Sequence, residues 1–487
     1  MKSPFLNNQN AIAELMKYGD CRACFVGDSL FDDQLGGRLS AVWPYVFAPQ
    51  NVKGMSISGG AQGGIFTGSG TAVSTQSPYG NNFHLTANRV TSGSGWTGKT
   101  NLWKFNALVR TYEAEGGGQG GGISVGNTKN IPVSHRELVV DTGQTVADGR
   151  SLFTFNGSYW TMGLVKGGDW SLNDDQLSCR VVGYGVAGSP ASVKVQGFRN
   201  GQGTVAPNPV TVTTNAGGYW HGDHVIPLAS LPNGAGKDLG VAVLASGTAM
   251  ADKPVAFVSG RFWRPSLKTG LEVCKMASGG SALDDWLPAS DLLNDAGIAD
   301  YLSRVIGTPG TVGESNGPNL YVIDLGTNMS VQDQSDLGAG DYSSYKDRYF
   351  QLITRLRTIS KTLGVRNPYF EILTPYRASQ SVALMESLAR VGYELSEDDK
   401  MIGHSNMYEA LWTTYNGNVS GGGNYGPYMY AHVGTKDGSS DTRFLAGQSE
   451  VHTAFAGSCM VMSNYWNMKE GVLAASGGGK TYVRLPR

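Results

Sequence analysis

Excess charge of either sign is missing from this 487-residue chain: 38 Lys and Arg stand against 39 Asp and Glu, for a formal net charge of −1. Without a basic surplus the composition offers nothing to a polyanion, so nucleic acid is not an expected partner. Long apolar runs are missing as well. No stretch approaches the roughly 18 residues that a membrane-spanning helix needs, so no membrane partner is expected. The segment from Met1 to Asn10 lacks a basic stretch followed by an apolar core, and export by a cleavable signal is not expected. Cysteine is sparse and odd in number, at positions 21, 24, 179, 274 and 459, which argues against a disulfide framework. Cys21 and Cys24 have the spacing of a metal or redox pair, but no second pair completes a zinc site and Cys24 belongs to an apolar run; packing is the expected role.

Glycine is what the chain has in abundance. Its 69 residues are about twice ordinary usage, and the absence of a period of three excludes collagen and points to turn-rich β structure. Such structure is expected from about Gly54 to Arg264. Short strand-like runs there, among them Arg180 to Tyr184, Ser192 to Gln196, Leu239 to Leu244 and Val255 to Val258, are separated by turn signals such as Asn156-Gly157 and Asn200-Gly201. Short strands without intervening helices predict an all-β sandwich or jelly roll. On either side the grammar is α/β. An apolar run, Ala23 to Val26, precedes Gly27-Asp28-Ser29-Leu30, with helical patterns at Ala11 to Met16 and Gln34 to Phe47.

Beyond residue 265, Leu320 to Leu325 reads as a buried strand. Tyr345, Tyr349, Leu352, Ile353, Leu356, Ile359 and Leu363 keep helical spacing up to a capping Gly364. Pro368 to Thr374 reads as the next strand, and Ser381 to Val391, Ser405 to Thr414 and Cys459 to Trp466 as helices. The division expected is therefore one α/β domain in two parts, residues 1–50 and 265–475, with residues 51–264 inserted and 476–487 as a tail.

Three motifs carry chemistry. Ser29 follows a strand at the position where open α/β sheets place reactive groups, Gly326-Thr327-Asn328 closes another strand, and His452 stands late with Gly457 five residues on. In this order and context the chain resembles the SGNH, or GDSL, hydrolase family. The resemblance covers roughly half the chain and implies a flavodoxin-like three-layer parallel sheet. It also implies acyl transfer with Ser29 as nucleophile and His452 as base. The oxyanion hole would consist of the backbone N–H of Ser29, a glycine N–H and the side-chain amide of Asn328.

Two glycines compete for the remaining donor. Gly280, in Ser278-Gly279-Gly280-Ser281, follows the strand-like Gly270 to Cys274 and is preferred; Gly59, in Ser58-Gly59-Gly60, is the alternative. The family's usual Asp three residues before the histidine is replaced by Ser449. Glu450 is assigned as the triad acid, with a backbone carbonyl, Asp437 or Asp441 as the other candidates. No metal and no cofactor are expected.

The arrangement further resembles polysaccharide and peptidoglycan O-acetylesterases with an inserted carbohydrate-binding sandwich, and among them deacetylase tail proteins of bacteriophages. An acetylated polysaccharide as substrate, a virion location and a homotrimer are what that likeness implies. A non-catalytic glycan-binding protein on the same scaffold, or a lipase or thioesterase of the family, is the alternative. His221-Gly222-Asp223-His224 reads as a surface loop rather than a metal site, and Ser476 to Thr481 lacks the first glycine of a phosphate loop. Most aromatics of the β block, among them Tyr219 and Trp220, are expected in a core.

Overall fold

A computed structural model describes residues 4–28, 30–31, 52–58, short strands between 64 and 156, 176–185, 190–199, 207–214, 219–227, 239–246, 255–277, 281–287, 295–307, 316–375, 380–409, 461, 465–469 and 471. Six strands run parallel: β1 (Asp20–Gly27), β2 (Val52–Ser58), β3 (Gly270–Ala277), β4 (Leu320–Asp324), β5 (Tyr369–Thr374) and β6 (Ile402–Asn406). Their order across the sheet is β6-β5-β4-β1-β3-β2.

Alternation along each buried strand divides the core in two. Cys24, Val26, Cys274, Met276, Tyr321, Ile323, Phe370 and Ile372 face one layer of helices: α2 (Asp295–Val305), α4 (Ser343–Thr362) and α5 (Val382–Asp398). Ala23, Phe25, Leu271, Val273, Leu320 and Val322 face the other, against Ile12 and Met16 of α1 (Pro4–Tyr18) and Tyr465 and Trp466 near the C-terminus. A short α3 (Val331–Gly338) follows β4, with Ser330 capping the Asp333 N–H.

The expected long helix is α4. It buries Tyr345, Tyr349, Leu352, Ile353, Leu356 and Ile359 and stops in a Schellman cap: Gly364 takes φ 78°, its N–H donates to the Lys361 carbonyl, and the Val365 N–H donates to that of Ser360. Two local expectations change. The helix expected from Ser405 opens two residues later, at Met407, and is described as far as Glu409; Ser405 and Asn406 end the edge strand β6, because Ile402, Gly403, His404 and Ser405 are all buried against β5 and α5. His221 to His224 lies within the strand Tyr219–Pro227, where Gly222 meets Val195 and Val212 of a second sheet.

Beyond β2 the sheet continues antiparallel. Val255–Trp263 pairs with β2 and with Gln176–Gly185, which pairs in turn with Tyr219–Pro227. A separate antiparallel sheet has the order Val210–Thr213, Ser192–Arg199, Leu239–Ala245, Ser151–Asn156, Leu85–Thr86. The two meet where the Gly197 N–H donates to His224 Nδ1 at 2.9 Å and Ile226 fills the space over Gly197. Tyr219 and Trp220 are buried, as a core role requires.

Buried arginines tie these strands to the α/β layers. Arg180 pairs with Asp223 and donates to the carbonyls of Arg304 in the last turn of α2 and of Gly307 just past it, and Arg261 pairs with Glu272 of β3 and donates to Gly307. The last carbonyls of a helix are where cations are favoured. His221, accepting from Arg304, is pushed down to about 4 by burial and then by the charge of Arg180. No helix among the described residues is long and apolar enough to cross a membrane.

Candidate active site

Chain order and sheet order part company at β1. From it the sheet proceeds to β3 and β2 on one side and to β4, β5 and β6 on the other, so the carboxyl ends of β1, β3 and β4 lie side by side where the order reverses. Open α/β sheets bind their ligands at such a switch point. Asp28, Ser281 and Asn328 lie there, each just past the end of one of these strands.

Asp28 is fully buried directly after β1. Its carboxylate accepts the Leu30 N–H at 2.9 Å and its carbonyl accepts the Phe31 N–H at 3.2 Å, a side-chain-closed turn of the kind Asp favours. Phe31 anchors that turn edge-on against Phe25, with ring centroids 4.8 Å apart. Gly27 has no room for a side chain, since a Cβ there would meet the Asp324 carbonyl at 2.7 Å and the Phe31 ring at 2.8 Å.

Asn328 reaches the same point from β4. Gly326 takes φ 155° beneath Leu388, and the chain turns so that the Asn328 amide donates to Asp28 Oδ2 at 3.2 Å and to the Ser281 carbonyl at 3.4 Å. Segments some 300 residues apart in sequence thus meet through one side chain. Beneath them Asp324 is buried with Oδ1 lacking a hydrogen-bond partner; burial, and then the charge of Asp28, hold its carboxyl well above the usual range.

The third segment, Ser281 to Leu287, is fixed from α4. Arg355 donates to the Trp286 carbonyl at 2.6 Å, and Arg348 bridges Asp284 and Asp333, linking this segment to α3. Among the described residues no group of His, Cys, Asp and Glu could hold a metal ion. Cys21, Cys24, Cys179 and Cys274 are buried free thiols, and burial pushes those of Cys21, Cys179 and Cys274 up, as packing roles imply.

Of the expected site residues, Asn328 is the one described, beside Asp28 and Ser281, the neighbours of Ser29 and Gly280. Ser29, Gly280, Gly59, His452 and Glu450 lie outside the described residues, as do Asp437, Asp441, the expected helix at 34–47 and the tail. Sequence spacing gave no sign of Ser281; its signal is the run Ser278-Gly279-Gly280-Ser281 after a strand, read only for its glycines.

No protein-family model matches the chain, and no curated protein matches it. Among solved structures, a peptidoglycan O-acetylesterase is similar over 97% of each chain, with 11% identity and a TM-score of 0.45. A family two carbohydrate esterase from Cellvibrio japonicus is similar over 80% of this chain and 99% of its own, at 10% identity and a TM-score of 0.25. Another from Clostridium thermocellum, in complex with cellohexaose, covers 69% and 96%, at 12% identity and a TM-score of 0.26. Likenesses of this strength leave the activity of the chain to be read from its own residues.

Proposed function

We propose that the chain is a serine esterase that removes O-acetyl groups from a polysaccharide. The observation carrying this reading is the Asn328 amide held between Asp28, the neighbour of Ser29, and Ser281, the neighbour of Gly280, at the switch point of the sheet. It supports Gly280 over Gly59, because β3 is the direct partner of β1 whereas β2 lies one strand further out.

In the proposed reaction Ser29 Oγ bonds to the acetyl carbonyl carbon while its proton passes to His452, the one side-chain type that titrates near neutrality. Collapse of the tetrahedral intermediate breaks the ester bond, and the departing sugar oxygen takes that proton. Water repeats the sequence, releasing acetate and restoring Ser29. The oxyanion is met by the backbone N–H groups of Ser29 and Gly280 and by Asn328, which exchanges its longer bond, to Ser281, for one to the oxyanion. Glu450 orients the imidazole.

Residues 51–264 are proposed as an inserted β module that holds the glycan, with 1–50 and 265–475 as the hydrolase domain, whose sheet takes β2 from the start of the inserted segment. The antiparallel continuation of the central sheet and the separate five-stranded antiparallel sheet that it meets support this, and the buried arginine contacts would keep glycan and crevice in fixed relation. Polysaccharide as substrate, and service as a trimeric virion component, rest on the family likeness. Ser449 in place of the usual aspartate favours the second reading, a glycan-binding protein without turnover. Hydrolysis of p-nitrophenyl acetate and release of acetate from acetylated polysaccharide, each compared with Ser29→Ala, separate the two: the esterase reading expects turnover that the variant loses, and equal rates would sink it.

A further inference from the structure

Ser281 touches all three segments of the crevice. Its hydroxyl, in a residue 1% exposed, accepts the Trp286 Nε1–H at 3.1 Å and donates to the Gly27 carbonyl at 3.3 Å, and its own carbonyl accepts from Asn328 at 3.4 Å. One residue therefore links the segment Ser281 to Leu287 to the end of β1 and to the turn after β4. We propose that Ser281 is the positioning residue of this site: its hydroxyl holds the segment Ser281 to Leu287 against the end of β1 at Gly27, and its carbonyl holds the Asn328 amide in place until an oxyanion replaces it. The inference rests on the esterase reading above.

The surroundings suit a positioning task. Trp286 is itself buried and fixed through its carbonyl by Arg355, which also pairs with Asp295 at 2.7 Å, so the donor to Ser281 comes from a rigid frame. On the receiving side, the tight packing of Gly27 against Asp324 and Phe31 leaves its carbonyl little freedom. A donor displaced by a fraction of an ångström loses strength in the transition state more than in substrate binding. Ser281 touches no reacting atom, and its effect passes through Gly27 and Asn328.

The test compares Ser281→Ala, Ser281→Cys, Trp286→Phe and Ser29→Ala with the parent chain, using p-nitrophenyl acetate at a temperature where each is folded by circular dichroism. Ser281→Ala is expected to lower kcat about tenfold with KM within about twofold, since two interactions made through one hydroxyl are lost. Ser281→Cys, which keeps weaker versions of both bonds, is expected to lie between it and the parent and serves if the alanine variant does not fold. Trp286→Phe removes one donor yet leaves the link to Gly27, and its kcat is expected to fall no more than about threefold.

If Ser29→Ala is inactive while Ser281→Ala and Ser281→Cys keep the parent kcat, the positioning role is overturned and the esterase reading stands. The role is also overturned if Ser281→Ala and Trp286→Phe lose kcat equally and in step with thermal stability, which is the mark of packing alone. If Ser29→Ala hydrolyses the ester as fast as the parent, the esterase reading itself has failed.

Discussion

Replacing Asn328 by Ala is expected to lower kcat by about a hundredfold or more while the protein stays folded, the scale set by removing one preorganised donor from an oxyanion hole. The amide is a preorganised donor in this sense. Gly326 and the end of β4 aim it, and Asp28, buried and bonded to Leu30, fixes its far side. Loss of the side chain also leaves Asp28 Oδ2 without this donor, so some stability is lost with the activity. Asn328→Asp separates the contributions. It keeps the size but faces Asp28 with a second acid, and it is expected to lose activity at least as far and to unfold at a lower temperature. Steady-state kinetics on an ester probe, with thermal unfolding in parallel, check both.

The second large effect concerns stability. Lys469 and Glu371 form an ion pair at 2.6 Å with both side chains fully buried, Lys469 also bonding Gln9 of α1 and Glu371 receiving the Ser405 hydroxyl. Glu371 Oε2 has no hydrogen-bond partner, and burial pushes the Lys469 ammonium down. Such a pair gains little over apolar packing, but removing one partner strands a charge. Lys469→Met is therefore expected to cost about 3–5 kcal/mol, and Lys469→Met combined with Glu371→Leu to recover most of it. Denaturant unfolding of the two variants against the parent reads this out. A double variant as unstable as the single one would show that the pair itself contributes the stability. The pair bonds α1, β5 and β6 to the helical residues that follow the His452 segment, so its loss is expected to loosen that end of the chain first.

What the sequence made legible follows from how local each signal is. The strand into Gly27, the helix α4 with its Gly364 cap and the strand into Gly326 are written in periodicity and capping residues. The edge strand β6 escaped because His404 and Ser405 read as polar. Both are buried, His404 against Thr374 Oγ1 at 2.8 Å, and burial pushes its imidazole down to about 3. Lys469 is likewise fully buried, and nothing nearby in sequence announces its partner Glu371.

The motif residues are proposed from order and type. Their contact was beyond reach of spacing: that Asn328 touches Asp28, and that Ser281 links the two, depends on strand order. The same holds for the sheet running from β3 through β2 into antiparallel strands, which the division expected at residue 50 cuts across. Tertiary pairing, not local preference, decides such features.

The account turns on Ser29 as an activated nucleophile beside a working oxyanion hole, and a fluorophosphonate probe reports on both at once. Reacting with the serine oxygen and losing fluoride, the probe leaves a tetrahedral adduct whose oxygen sits where the oxyanion would. Peptide mass spectrometry after incubation is expected to find the adduct on Ser29 in the parent chain, at a rate slowed at least tenfold in Asn328→Ala. An unlabelled Ser29 in the folded protein, or labelling at the same rate without Asn328, would contradict the account.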